Sequence, residues 1–101
     1  MPITTSSEFS DVLSDNYVAG AITVTTSQTE AKVGGSRLIG REYITVYNNS
    51  SQTIYFGPSG VTTSSGTPLE KGQTAGFPAG DIGIFLIVSG GTANVRIQEW
   101  A

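Results

Sequence analysis

From Ala21 onward the chain alternates apolar and polar residues with a period of two. Ile22 and Val24 point to one side, Thr23 and Thr25 to the other, and β-branched residues dominate, so a strand is expected there. Residues 30–33 and 37–40 suggest a further strand broken at Gly34 and Gly35, where paired glycines mark a turn or bulge. The clearest unit is REYITVYNNSSQTIYFG, residues 41–57. Two alternating runs flank Asn48, Asn49, Ser50 and Ser51, residues suited to a hairpin turn. Ile44, Val46, Ile54 and Phe56 then form a core face, leaving Tyr43, Thr45, Tyr47, Thr53 and Tyr55 on the opposite face.

Residues 58–80 hold three of the four prolines, which predicts a long loop with a short strand near Gln73 to Phe77 and a tight turn at Glu70, Lys71 and Gly72. Ile82 to Val88, IGIFLIV, is apolar on both faces and reads as a central strand covered on both sides. Ser89, Gly90, Gly91 and Thr92 suit a second hairpin turn. The last strand then turns Ala93, Val95 and Ile97 inward, with Asn94, Arg96, Gln98 and Trp100 outward.

Residues 1–20 break this pattern. They are rich in Ser and Thr, with Phe9, Val12, Leu13 and Tyr17 as the only sizeable anchors. Phe9, Val12 and Leu13 would share a face of one helical turn behind a cap at Ser6 or Ser7, so the segment reads as an acidic N-terminal arm attached to a β-domain at 21–101. Six to eight short strands, frequent turns and no helix of three turns predict an all-β fold. A single antiparallel β-sandwich or small jelly roll is expected, with a flattened barrel as the alternative.

Charge changes the picture. Only 13% of residues are charged, about half the common fraction of roughly 25%, and Ser, Thr, Gly and Asn take their place. The net charge of -3 resides in the arm, in Glu8, Asp11 and Asp15. The rest balances five acids (Glu30, Glu42, Glu70, Asp81, Glu99) against five bases (Lys32, Arg37, Arg41, Lys71, Arg96). A neutral body with no basic stripe argues against nucleic acid as a partner. No apolar run approaches the roughly 18 residues of a membrane span, and MPITTSSEFS lacks the regions of a signal peptide. No membrane partner is expected, and the chain reads as soluble and made in the cytoplasm.

Catalysis is poorly served by these residues. The chain has no His and no Cys, which removes Ser-His-Asp, Cys-His and His-metal arrangements along with the commonest general base. Glu42, Glu70, Asp81 and Glu99 are the only acids of the body that could pair to cleave a glycosidic bond, and isolated acids on strands and turns are normally solvated. No phosphate-binding glycine loop or calcium-loop spacing occurs, so no cofactor and no enzymatic role are expected. The aromatics are more informative. Tyr43, Tyr47 and Tyr55 could be buried within the domain, covered by a neighbouring subunit, or stacked on sugar rings, and Trp100 could lock the last strand or make a contact.

The run RxYITVxNNSxxTIYFGxSGVTTSxGxPLxKGQ from Arg41 to Gln73, with the closing IGIFLIVSGGTANVRIQEW, resembles the small β-sandwich domains of structural proteins in tailed bacteriophages: head-decoration proteins, head fibres and tail appendages. The resemblance spans residues 41–100 and brings no catalytic residues. It implies a virion location after synthesis in the host cytoplasm. The expected role is a capsid decoration or head-fibre subunit bound to other virion proteins, the major capsid protein first among them. A weakly charged β-domain also suits symmetric packing, and a homo-oligomer is expected, with a trimer favoured. The alternative is a carbohydrate-binding module of a phage tail or cell-surface protein, with a host glycan on Tyr43, Tyr47 and Tyr55.

Overall fold

The computed structural model describes residues 16–101 and contains eight strands: β1 (Tyr17–Val24), β2 (Thr29–Glu30), β3 (Tyr43–Asn48), β4 (Ile54–Gly57), β5 (Thr67–Leu69), β6 (Thr74–Phe77), β7 (Phe85–Ile87) and β8 (Ala93–Trp100). They form two antiparallel four-stranded sheets, the first ordered β1-β8-β3-β6 and the second β2-β7-β4-β5. Only the β4–β5 connection stays within one sheet; every other link crosses between them. This is the wiring of a small jelly-roll sandwich, within the all-β fold class expected from the sequence.

The inward parity agrees with the sequence. Ile44 and Val46 of β3 and Val95 and Ile97 of β8 are fully buried, facing Ile54 of β4 and Leu86 of β7 across the core. Phe56 and Phe77 meet edge to face between the sheets at 5.0 Å. β7 is an interior strand of the second sheet, as IGIFLIV implies, but it covers only Phe85–Ile87 of the expected Ile82 to Val88: Ile82 is 66% exposed, in a turn closed by its N–H donating to the Ala79 carbonyl. Val61 folds back over Gly57 of β4 and over Gly66, where a Cβ would overlap the Val61 side chain. The Glu70 turn is closed by the Gln73 N–H donating to the Glu70 carbonyl at 3.0 Å, with Gly72 at φ 77°.

Both expected hairpins are instead crossings. β3 pairs with β6 and β8, β4 with β5 and β7, and β7 does not pair with β8. Alternation dictates which side chains turn inward but not whether two strands lie side by side or face each other. In the observed fold the crossing sets β4 in the sheet facing β3, with Ile44, Val46 and Ile54 fully buried in the shared core. Asn48 stabilises the first crossing from a buried position. Its Nδ2 donates to the carbonyls of Gln52 (2.7 Å) and Leu69 (2.9 Å), and its Oδ1 accepts from the Ser50 N–H (3.1 Å) and hydroxyl (2.7 Å).

The broken strand expected over 30–33 and 37–40 is also absent beyond Thr29–Glu30, and its backbone donors go elsewhere. Glu99 lies on the inward parity of β8 and is buried, with its carboxylate 2.8 Å from the guanidinium of Arg41, itself buried. Glu99 accepts the Val33 N–H at 3.1 Å and the Leu38 N–H at 3.3 Å. Arg41 donates to the carbonyls of Gly80 (3.0 Å), Ala31 (3.3 Å) and Ile82 (2.8 Å). A side-chain pair thus replaces a strand ladder in holding 31–41. β1 begins at Tyr17, so Tyr17 to Gly20, read above with the arm, are strand; Phe9, Val12 and Leu13 lie outside the described residues.

Removing one member of a buried ion pair leaves the other charge uncompensated, at a cost of about 3–5 kcal/mol. Arg41→Met and Glu99→Leu should each lower the unfolding free energy by that order in denaturant titrations. The double variant should lose less than the sum of the two but stay below the parent protein, because the backbone groups above lose their partners.

Candidate interaction face

Antiparallel register places Tyr17 opposite Trp100 and Trp100 opposite Tyr43, so β1, β8 and β3 bring three aromatic rings into one row on the outer face of the first sheet. Ring centroids are 5.2 Å apart for Tyr17 and Trp100, in a tilted arrangement, and 5.8 Å for Tyr43 and Trp100, edge to face. Trp100 is half-buried between two tyrosines that remain 37% and 41% exposed. Gly76 of β6 gives the row its flank: the Tyr43 ring lies across it, and a Cβ there would overlap the phenol.

Further along the same face Thr45 pairs with Gln98, and Tyr47 pairs with Arg96 and Thr74. These five residues line an open depression of about 340 Å³. The Arg96 Nε donates to Asn94 Oδ1 at 3.2 Å, so the residue that lines the depression is also tied to its own strand. A second hollow, of about 170 Å³, adjoins the other side of Tyr47 and includes Asn49, Lys71 and Gly72. Tyr47, 37% exposed, therefore stands between two cations.

At the opposite end, next to the aromatic row, the Arg41 N–H donates to the Leu38 carbonyl at 3.0 Å and closes a turn with Gly40 at φ 72°. The turn carries Ile39, 90% exposed, and its Gly40 approaches Ala101. Asn16, where the described chain begins, accepts the Ala101 N–H at 2.8 Å, so the chain enters the fold beside Trp100.

Of the residues expected to form a site, Tyr43, Tyr47, Trp100 and Tyr17 share this face. Tyr55 does not: it sits on β4 in the second sheet, opposite Pro68 and Ile87, half-buried and in contact with Gly66. The expected three-tyrosine platform fails because the crossing after Asn48 moves β4 to the other sheet. Among the acids, Glu99 is engaged by Arg41. Glu70 accepts from the Thr53 hydroxyl at 2.7 Å, and Glu30 is paired with Arg37 and Lys32. Arg41 and Glu99 were not singled out as partners in the sequence, although a charged residue on the buried parity of β8 demands one.

No family model matches the sequence, and no curated protein matches it. A solved structure does share features of its fold. The crystal structure of protein NMB1881 from Neisseria meningitidis superposes with a TM-score of 0.51 over 85% of this chain and 76% of that one, at 9% identity. A Bacillus endospore appendage protein, described as forming disulfide-linked pili, reaches 0.39 over 84% and 85%, at 15% identity. What NMB1881 shares with this chain is a small β fold.

Filling Gly76 should displace Tyr43 and uncover Trp100, the only tryptophan. Gly76→Ala is expected to red-shift Trp emission and increase its quenching by acrylamide, with β-sheet circular dichroism retained; an unchanged spectrum would show that Tyr43 does not shield the indole.

Proposed function

We propose that the protein is a non-enzymatic structural subunit of a tailed-bacteriophage virion, a capsid decoration or head-fibre protein that self-associates and docks on the shell through the outer face of its first sheet. The observation that carries this reading is the Tyr17–Trp100–Tyr43 row, in which large rings from three strands pack against one another yet stay partly open. Rigid aromatics supply contact area at small entropic cost and are enriched in protein interfaces. Exposed Ile39 extends the apolar area at the same end. The resemblance of residues 41–100 to phage virion domains supports a virion location, and NMB1881 contributes the fold alone. The described chain begins at Asn16 beside this face, and Phe9, Val12 and Leu13 of the preceding segment are assigned to attachment on the major capsid protein.

Two variants added to virions that lack the protein test the reading. Deletion of residues 1–15 and the double substitution Tyr43→Ala/Trp100→Ala should each abolish co-sedimentation with capsids while the β-sandwich spectrum persists. Attachment that survives both changes would contradict the proposal.

A carbohydrate-binding role is favoured by one separate observation: the Tyr47 depression, lined by Arg96, Gln98, Thr45 and Thr74, joins one ring to hydroxyl, amide and guanidinium groups. Such a set suits an acidic sugar, with Tyr47 stacking and Arg96 binding its carboxylate. On this reading, Tyr47→Ala and Arg96→Ala each remove retention on an immobilised uronic-acid or sialic-acid glycan without altering capsid attachment. Equal retention by the parent protein and both variants would dismiss it.

A further inference from the structure

The four sheet edges differ in how they are protected. In the second sheet, β2 is two residues long and carries Glu30, and β5 is three residues long and carries Pro68, which has no N–H. In the first sheet, β6 has four residues and is followed by Pro78. Short length, proline and charge are the usual devices that prevent an edge from pairing with another chain. β1 has none of them. It runs for eight residues, YVAGAITV, with no proline, no charged side chain and an unbroken register against β8 from Tyr17 to Val24.

The hydrogen-bond parity of this edge is determined. Asn16 accepts from Ala101, so the even-numbered residues of β1 bond to β8. Tyr17, Ala19, Ala21 and Thr23 therefore turn their N–H and C=O groups toward the side of β1 that no strand among the described residues occupies. The same residues project their side chains onto the outer face, and the two at the centre are alanines.

We propose that this edge binds the β1 edge of a second copy, antiparallel about a two-fold axis at Gly20. That register sets Tyr17 opposite Thr23 and Ala19 opposite Ala21 of the second copy. The four hydrogen-bonded pairs so formed supply about eight bonds and satisfy every open group of both strands. The strand is its own complement: it has no charge to repel an identical neighbour across the axis, and Ala19 and Ala21 leave room there. Thr23 of the second copy packs beside Tyr17 and extends the aromatic row. The two first sheets merge into one of eight strands, presenting two interaction faces side by side. This inference rests on the self-association within the proposed function and not on a virion location, and its two-fold symmetry makes the assembly even-numbered in place of the trimer expected from the sequence.

Native mass spectrometry and sedimentation equilibrium on the full chain should give a two-chain species or a multiple of it. Ala21→Pro removes an N–H that faces the open edge and none that bonds β8. It should leave circular dichroism and Trp emission intact while shifting the mass to one chain. Because the protein contains no Cys, a mixture of Ala19→Cys and Ala21→Cys chains should form interchain disulfides on oxidation, more readily than either variant alone, since paired residues lie about 5.5 Å apart. A full chain that remains single at high micromolar concentration, a three-chain mass, or a dimer that Ala21→Pro and the cysteine mixture leave unaffected would each overturn the proposal. None of these readouts involves virions, so failure of capsid attachment is scored separately.

Discussion

The structure depends on one buried ion pair. Moving a guanidinium and a carboxylate out of water costs several kcal/mol per ion, and their mutual attraction offsets this only when the remaining donors and acceptors are also used. Here they are. Arg41 and Glu99 bind each other and, between them, five backbone groups: the N–H groups of Val33 and Leu38 and the carbonyls of Ala31, Gly80 and Ile82. The pair ties the long 31–41 connection and the 79–82 loop to the last strand, closing one end of a sandwich whose second sheet has only two residues in β2.

That closure bears on function through geometry. The turn held at Leu38 to Arg41 lies against Ala101, and Trp100 on the same strand end is wedged between Tyr17 and Tyr43. The alternation of β8 thus assigns opposite tasks to neighbouring residues: Glu99 points inward and secures the loops, while Trp100 points outward and organises the aromatic row. The body's few charges serve mainly as fastenings. Arg37 bridges Glu30 and the Asp81 carbonyl, Glu70 binds Thr53, and Arg96 with Lys71 stands exposed around Tyr47. A surface made in this way offers contact area and hydrogen bonds and suits association.

Side-chain parity was legible in the sequence because a half-buried strand must alternate. Ile44 and Val46, Val95 and Ile97 declare the core, and their outward neighbours Tyr43, Tyr47 and Trp100 declare the face. The pairing of strands was not. Asn48 to Ser51 has the composition of a hairpin turn, and nothing local distinguishes a turn joining adjacent strands from one that climbs to the opposite sheet; the buried Asn48 side chain, which bonds Leu69 from a distant segment, decides it. The same long-range character hid the loop 31–41. Its glycines suggested a kinked strand, whereas its donors are satisfied by a carboxylate some sixty residues later in the chain. Tyr55 was misplaced as a consequence of the first error.

Amide hydrogen exchange tests the central claim most directly. Val33 and Leu38 lie outside every strand, so an ordinary surface loop would exchange them quickly. If the buried carboxylate holds them, their protection should approach that of the β8 amides, and Glu99→Gln should reduce it selectively while leaving β4 and β7 unchanged. Exchange of Val33 and Leu38 as fast as at Gly34 and Ser36 in the parent protein would contradict the account.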